Sequence, residues 1–187
     1  MRSTCQVLIV CTGNVCRSPY IERRLRAALV GFDVHVSSAG SAALVGQPMS
    51  PGSARLLAES GIAHEDFVAR QLSARLVEDA DVIIGAGRDH IGAAARLSPR
   101  ALQRGLALLD LADLLADADL ASIRPASGRE RGEQITQLAR SHRPEIPARS
   151  ADNATIMDPY GRGEGAYRQM ADQIEQALPV LVAALCG

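Results

Sequence analysis

Apolar positions along the chain keep two rhythms, and their succession predicts the elements. Residues 6–10 form a continuous apolar run of strand character that stops at a glycine-containing loop. Ser18-Pro19 then opens a stretch in which Ile21, Leu25, Ala28 and Leu29 recur at helical spacing, so the N-terminus reads as strand, loop and helix. A second strand is predicted over 33–37, where Val34 and Val36 alternate with polar neighbours, and Ser38-Ala39-Gly40-Ser41 is expected to break it. From Pro51 the spacing of Ala54, Leu57 and Ala58 predicts a helix with Gly61 in the place of a C-terminal cap. Residues 81–85 read as a third, fully buried strand.

Strands separated by helix-length segments need crossover connections, which force a parallel sheet with helices on both faces. The expected fold is therefore a three-layer α/β domain, its central twisted sheet mostly parallel and of about four strands. Residues 1–187 are read as one domain, with an elaborated segment over about 106–153. Within and beyond that segment, 106–120 and 129–140 are expected to be helical, and 125–128 and 143–153 irregular. Residues 165–185 carry Ile174, Ala177, Leu178 and Leu181 on one stripe, a helix packing back on the sheet with a kink expected at Pro179.

Composition excludes more than it assigns. Hydrophobic residues at 47% and charged residues at 22% are ordinary for a soluble fold, which excludes disorder and a membrane protein. A net charge of −1 gives no pull toward nucleic acid, and Arg23, Arg24 and Arg26 on the first helix are read as a solvated face. All 20 basic residues are arginine, a bias attributed to codon usage in a high-GC genome. The first apolar run is too short for a signal-peptide core or a membrane span, so a cytoplasmic location is expected. Without an export signal, Cys5, Cys11, Cys16 and Cys186 are read as thiols. His35, His64, His90 and His142 show no ligand spacing; no metal site is expected, and they are assigned to surface or core packing.

The chemistry concentrates in residues 11–18, Cys-Thr-Gly-Asn-Val-Cys-Arg-Ser, at the carboxyl end of the first strand, where open parallel sheets bind ligands. Successive N–H groups of a curved loop can converge on one anion, and the following helix adds its positive end. Gly13 permits a tight path and Asn14 tolerates positive φ. Arg17, six residues after Cys11, can return over the loop to grip two phosphate oxygens. Such surroundings favour the thiolate, the form that attacks phosphorus, so Cys11 is the candidate nucleophile. A lone cysteine ending a strand is more often a small core residue, and Asp158-Pro159 alone more often opens a turn; their combination with the loop reverses both readings.

These residues resemble the low-molecular-weight protein tyrosine phosphatases, whose signature Val-Cys-x-Gly-Asn-x-Cys-Arg-Ser-Pro is matched from Val10 to Pro19. The likeness, to bacterial members of actinobacterial type, extends to Ser38-Ala39-Gly40, Ala69-Arg70, the strand at Asp81 and Asp158-Pro159-Tyr160-Gly161. It implies cysteine-dependent hydrolysis of phosphotyrosine without a cofactor. By the same resemblance Asp158 protonates the leaving oxygen and later activates water, Ser18 hydrogen-bonds the thiolate, and Asn14, Ser18 and Ser38 hold the loop of Thr12, Gly13, Asn14, Val15, Cys16, Arg17 and Ser18 in shape. Cys16 is implied to trap an oxidised Cys11 as a reversible disulfide, with Cys5 and Cys186 passive. Val15, Leu44 and Tyr160 are expected to rim the substrate ring. Phe67 stands where many relatives carry a histidine linked to the serine network.

The implied partner is a phosphotyrosine-bearing protein, by analogy with bacterial relatives a tyrosine kinase tied to polysaccharide export, with inorganic phosphate as product and inhibitor. Two rivals share the loop. Thiol-dependent arsenate reduction needs further cysteines near the third strand, and residues 81–95 hold none. Protein-arginine phosphatases resemble this loop but place threonine where this chain has Val15. A silent phosphate-binding module would not need Cys11, Arg17 and Asp158 together.

Overall fold

The structure is a computed structural model describing residues 4–124 and 128–186. Its first strand, β1 (Cys5–Cys11), leads through a tight loop into helix α1 (Arg17–Ala28) and back to β2 (Val34–Gly40). Helices α2 (Pro51–Glu59) and α3 (Ala74–Asp79) precede β3 (Val82–Gly85). Then come α4 (Arg88–Leu97), α5 (Ala101–Arg104), β4 (Gly105–Ala107), α6 (Leu108–Ala116) and a 3-10 turn (Leu120–Ser122). Helices α7 (Gly128–Ser141) and α8 (Glu164–Cys186) complete the order.

Among the described residues one sheet forms, in the order β2-β1-β3-β4, with every neighbour parallel. Side chains of a strand alternate between the two faces. Val7 and Ile9 of β1, Val36 of β2 and Val82 and Ile84 of β3 therefore share one core with Ile21, Leu25, Leu111, Ile135, Ile174 and Leu181 of the helices on that face. Leu8 and Val10, Ala39 and Ile83 point the other way, onto Val77 of α3 and Ile91 and Ala94 of α4. Both faces of β1 are thus covered, which is why its sequence is a continuous apolar run rather than an alternation. Each fully buried aliphatic side chain here contributes about 1.5–3 kcal/mol.

Several expectations change. The stretch Ser38-Ala39-Gly40 does not break β2 but extends it, because the ladder continues through Ile9↔Ser38, Val10↔Ala39 and Cys11↔Gly40. The expected helix over 106–120 begins instead with the short strand β4, paired to Ile83–Gly85, and only Leu108–Ala116 is helical. The segment 106–153, read as an elaboration, supplies most of β4 and the helices α6 and α7, and its Leu111, Leu115, Ile135 and Ala139 lie in the main core. Helix α8 runs through Pro179 as one assigned element, although proline removes one N–H from the helix ladder. Of the irregular connection expected at 125–128, residues 125–127 lie outside the described residues and Gly128 opens α7. Of the α1 arginines read as a solvated face, Arg26 is exposed and Arg24 partly so, Arg23 is buried, and all three have partners. Arg23 pairs with Asp66 at 2.8 Å and lies over the Phe67 ring, Arg24 pairs with Glu175, and Arg26 bonds both Glu22 and the Val36 carbonyl.

The chain passes from β1 to β2 on one side and returns to β3 on the other, so the loops leaving β1 and β3 diverge at the carboxyl end of the sheet. Such a switch point opens a crevice for ligands. Gly40 closes its β2 side: a Cβ there would lie 2.4 Å from the Thr12 carbonyl and 2.9 Å from Ala43. Replacing Gly40 by alanine is expected to lower stability by about 1–3 kcal/mol, the range of a forced overpacking. Urea unfolding of the variant checks this, and an unchanged midpoint would show that the two strands' exits have room to move apart.

Candidate active site

Between β1 and α1 the loop carbonyls are turned outward and held. Ser41 N–H donates to the Cys11 carbonyl at 2.8 Å, Ala42 to Thr12 at 3.0 Å, Leu44 to Gly13 at 3.0 Å and Ser50 to Val15 at 2.8 Å. In a trans peptide the next residue's N–H points opposite to the carbonyl. Those four bonds therefore aim the N–H groups of Thr12, Gly13, Asn14 and Cys16 to the inner side of the turn, forming a nest for an anion. Asn14 takes the left-handed conformation that closes the turn, at φ 54°. Helix α1 starts on Cys16 with no side-chain cap, so its first N–H donors also remain for a ligand.

A buried polar network fixes this shape. Asn14 Nδ2 donates to Ser18 Oγ and to Ser38 Oγ, both at 2.9 Å, and Asn14 Oδ1 accepts from Arg70 N–H at 2.9 Å. Ser38 Oγ–H donates a hydrogen bond to Glu22 Oε2, and Arg70 Nε donates to the Ser38 carbonyl at 2.7 Å. Ser18 Oγ in turn lies 2.9 Å from Cys11 Sγ, at the floor of the cup. Cys11 is 2% exposed, so a reacting phosphorus has to enter the cup to meet it.

At the mouth, Arg17 Nη2 bonds Asp158 Oδ2 at 2.7 Å and Thr12 Oγ1 at 3.3 Å, while its buried Nε has no partner. Asp158 is held from two sides. Ile156 N–H donates to the Ala86 carbonyl just beyond β3, and Met157 N–H to Gln173 of α8, both at 2.8 Å. Tyr160 N–H closes a turn on Asp158 Oδ1 at 3.2 Å. The resulting cavity, about 180 Å³, is lined by the loop from Cys11 to Arg17 with Ala42, Leu44, Asp158 and Tyr160. A larger cleft of about 960 Å³, beside Arg100, Arg104, Arg129 and Arg140 where β3 and β4 begin, is lined by no cysteine, so volume alone does not locate the thiol chemistry.

Residues 6–121, well over half of the chain, match the family model described as low molecular weight phosphotyrosine protein phosphatase. The chain belongs to that family. It is 39% identical to the probable low molecular weight protein-tyrosine-phosphatase AmsI of Erwinia amylovora over 93 residues, 50% of this chain and 63% of that protein. With Wzb of Salmonella typhimurium it shares 38% identity over 104 residues, 56% of this chain and 67% of that one. The chain thus spans less than two thirds of the length of AmsI. Among solved structures, Vibrio vulnificus Wzb in complex with benzylphosphonate superposes with a TM-score of 0.67 at 22% identity, covering 96% of this chain and 97% of that one; it speaks for the fold alone. Erwinia amylovora AmsI gives 0.61 at 25% identity, covering 95% and 92%.

In this phosphatase-family chain the residues singled out from sequence come together in two hydrogen-bonded groups: Cys11, Ser18, Asn14 and Ser38 at the floor, and Arg17, Asp158 and Thr12 at the mouth. Cys16 adjoins it, 3% exposed, with Sγ 3.8 Å from Tyr167 OH, and burial raises its thiol pKa above the ordinary cysteine value. Leu44 and Tyr160 stand at the rim, 39% and 60% exposed, but Val15 is 4% exposed and forms a wall, not rim. Phe67 takes no part in the serine network and lies under Arg23; the Ser38 hydroxyl donates its hydrogen bond to Glu22. Glu22 went unnoticed in the sequence because its partner comes from another strand. His90, assigned to packing, is indeed buried at 2% exposure, but its Nε2 lies 3.1 Å from Thr12 Oγ1 of the loop. It lies five residues past β3, the neighbour of β1, a placement that only the sheet order reveals. Among the described residues, no group of three His, Cys, Asp or Glu side chains is arranged to hold a metal.

Asn14→Ala removes the partner of two buried hydroxyls and one buried N–H, each worth about 1–3 kcal/mol when stranded. The variant is expected to lose about 2–4 kcal/mol of stability. Urea unfolding measures the loss, and a difference under 1 kcal/mol would mean that water replaces the side chain.

Proposed function

We propose that the chain is a protein-tyrosine phosphatase working through a cysteinyl-phosphate intermediate. The observation that carries this reading is the Cys11 thiol at the floor of an anion nest, 2.9 Å from the Ser18 hydroxyl, with Arg17 and Asp158 at the mouth. Phosphate oxygens take the inward N–H groups and the Arg17 guanidinium, which places phosphorus in line with Sγ. The Sγ–P bond forms as the P–O bond to the aryl group breaks, and Asp158 gives its proton to the departing oxygen. Asp158 then takes a proton from water, the water oxygen bonds phosphorus, and the S–P bond breaks with the electron pair returning to Cys11. The Ser18 hydroxyl donates to that leaving thiolate.

The depth of the cup supports tyrosine as the substrate residue, since an aryl ring carries phosphorus farther from the peptide backbone than a seryl methylene does. Its walls, Val15 and Leu44 with Tyr160, suit a flat apolar ring better than a charged phosphoguanidinium. Arsenate reduction lacks relay thiols: residues 81–95 hold no cysteine, and Cys5, at the far end of β1, is pushed up to about 12 by burial. The two-sided core supports a single-domain reading of residues 1–187. The partner proposed is a phosphotyrosine-bearing protein such as a bacterial tyrosine kinase, met in the cytoplasm. No described helix is long and apolar enough to cross a membrane.

Cys11→Ser is expected to abolish turnover while retaining inorganic phosphate binding, and Asp158→Ala to slow turnover about 10²–10⁴-fold, most for poor leaving groups. Hydrolysis of phosphotyrosine, phosphoserine and phosphoarginine peptides, with arsenate reduction in parallel, tests the assignment; preference for any substrate but the first would overturn it. A second expectation concerns oxidation. Peroxide converts Cys11 to a sulfenic acid, and the Cys16 thiol displaces water to form a disulfide, so thiol treatment restores activity. The Cys16→Ser variant should lose activity irreversibly under the same exposure; equal recovery of both forms would exclude Cys16 from this role.

A further inference from the structure

We propose that His90 is a positioning residue of the phosphate cup, orienting the Thr12 hydroxyl so that Thr12 holds Arg17 over the anion site. The inference rests on reading residues 11–18 as that cup, and on no other assumption about substrate.

The starting point is a proton count. Arg17 is a donor only, so Thr12 Oγ1 accepts from Arg17 Nη2 at 3.3 Å. Thr12 has one hydroxyl proton left to place, and the neighbouring His90 Nε2 lies 3.1 Å from the same oxygen. Of the two neutral tautomers, the one with Nε2 unprotonated and the ring proton on Nδ1 lets His90 accept a hydrogen bond from that hydroxyl. That nitrogen is buried without a hydrogen bond, but faces the Asp89 carboxylate at 3.0 Å off the bond direction, where a proton is electrostatically favoured. Burial, the largest influence, and the Arg17 charge lower the ring's pKa below the ordinary histidine value and so favour the neutral form, against the opposing pull of Asp89 and Asp158. The polar chain therefore runs Arg17 N–H to Thr12 O–H to His90 Nε2.

The fold explains why a histidine reaches this point. Strands β1 and β3 are neighbours, and Ala86 N–H donates to the Val10 carbonyl at 2.8 Å, so the loop after β3 abuts the loop after β1. Helix α4 begins at Arg88 and seats His90 in its first turn, 2% exposed, against Thr12. The consequence lies in Arg17. Its Nη2 is shared between Thr12 and Asp158, and its Nε is unpartnered. An entering phosphate competes with Asp158 for the guanidinium, which leaves Thr12 as its remaining anchor. Without His90 the Thr12 hydroxyl can rotate and offer its proton to the anion or to Cys11, and Arg17 loses its preset orientation.

Four variants test this: His90→Ala, His90→Leu, His90→Gln and Thr12→Val. Inorganic phosphate affinity is measured by calorimetry and turnover with a phosphotyrosine peptide, and thermal unfolding verifies that each variant is folded. Leucine fills the space without an acceptor, whereas glutamine supplies an acceptor near the Nε2 position. His90→Ala and His90→Leu are each expected to weaken phosphate binding and kcat/KM about five- to tenfold, the scale of one hydrogen bond, with His90→Gln within about threefold of the original. Adding His90→Ala to Thr12→Val should cost nothing further, since the chain is already cut. Equal behaviour of the leucine and glutamine variants, or additive losses in the double variant, would overturn the proposal in favour of packing. Should the original protein bind phosphate but leave the phosphotyrosine peptide intact, the proposed function fails, while the glutamine-over-leucine order of phosphate affinity still decides the role of His90.

Discussion

A chain can turn several amide N–H groups toward one point only if the carbonyls on the other side of those peptides are bonded elsewhere. Here the carbonyls of Cys11, Thr12, Gly13 and Val15 are all taken by N–H groups between Ser41 and Ser50. That segment is therefore as much a part of the anion cup as the loop it braces. The same constraint accounts for the left-handed Asn14, whose side chain then ties the turn to Ser18, Ser38 and the Arg70 N–H. It also accounts for Gly40, the last residue of β2, packed against the Thr12 carbonyl with no space for a side chain.

The sheet order sets what can converge on the cup. With β2 and β3 on either side of β1, the segment after β2 supplies the carbonyl braces, and the segment after β3 supplies His90 and the Ala86 carbonyl that anchors Ile156. Helix α8 reaches the same place from below through Gln173 and Tyr167. Asp158 is thus positioned by elements far from it in sequence, and residues 106–153 are needed to carry the chain from β3 to it. Their apolar positions fill the core on the way, which is why the segment is built into the main layer rather than hung from it.

What could be read from sequence was what is decided locally. The apolar run, the glycine-containing turn and the Ser18-Pro19 helix start lie within a few residues of one another and state the first strand, loop and helix outright. Strand β4 was hidden because three residues in a Leu- and Ala-rich stretch become a strand only by pairing with Ile83–Gly85. Ser38-Ala39-Gly40 looked like a break for the same reason: its strand character comes from the ladder with β1, not from its own propensity. Of the site, Cys11, Arg17, Asn14 and Ser18 were legible from their mutual spacing. Glu22 and His90 were not, since each acts through a contact made by another element. The arginines of α1 misled in the same way, their partners Asp66 and Glu175 lying far along the chain.

The Arg17–Asp158 pair raises a question of competition, because the proposed mechanism uses both side chains against the same phosphoryl group. At 2.7 Å the pair is well formed, but the Asp158 side chain is 48% exposed, and solvent screens such a pair to about 1 kcal/mol or less. A phosphate dianion offers the guanidinium more charge, a bidentate geometry and, at the same time, the inward N–H groups of the loop. Exchange of carboxylate for phosphate is therefore favourable. Its effect is useful as well: the displaced Asp158, tethered through Ile156 and Met157, stays beside the mouth, where the bond to the leaving oxygen breaks, and the negative charge entering next to it favours the protonated form that a general acid requires. In the proposed mechanism substrate binding thus arms the acid, which without substrate is parked on Arg17.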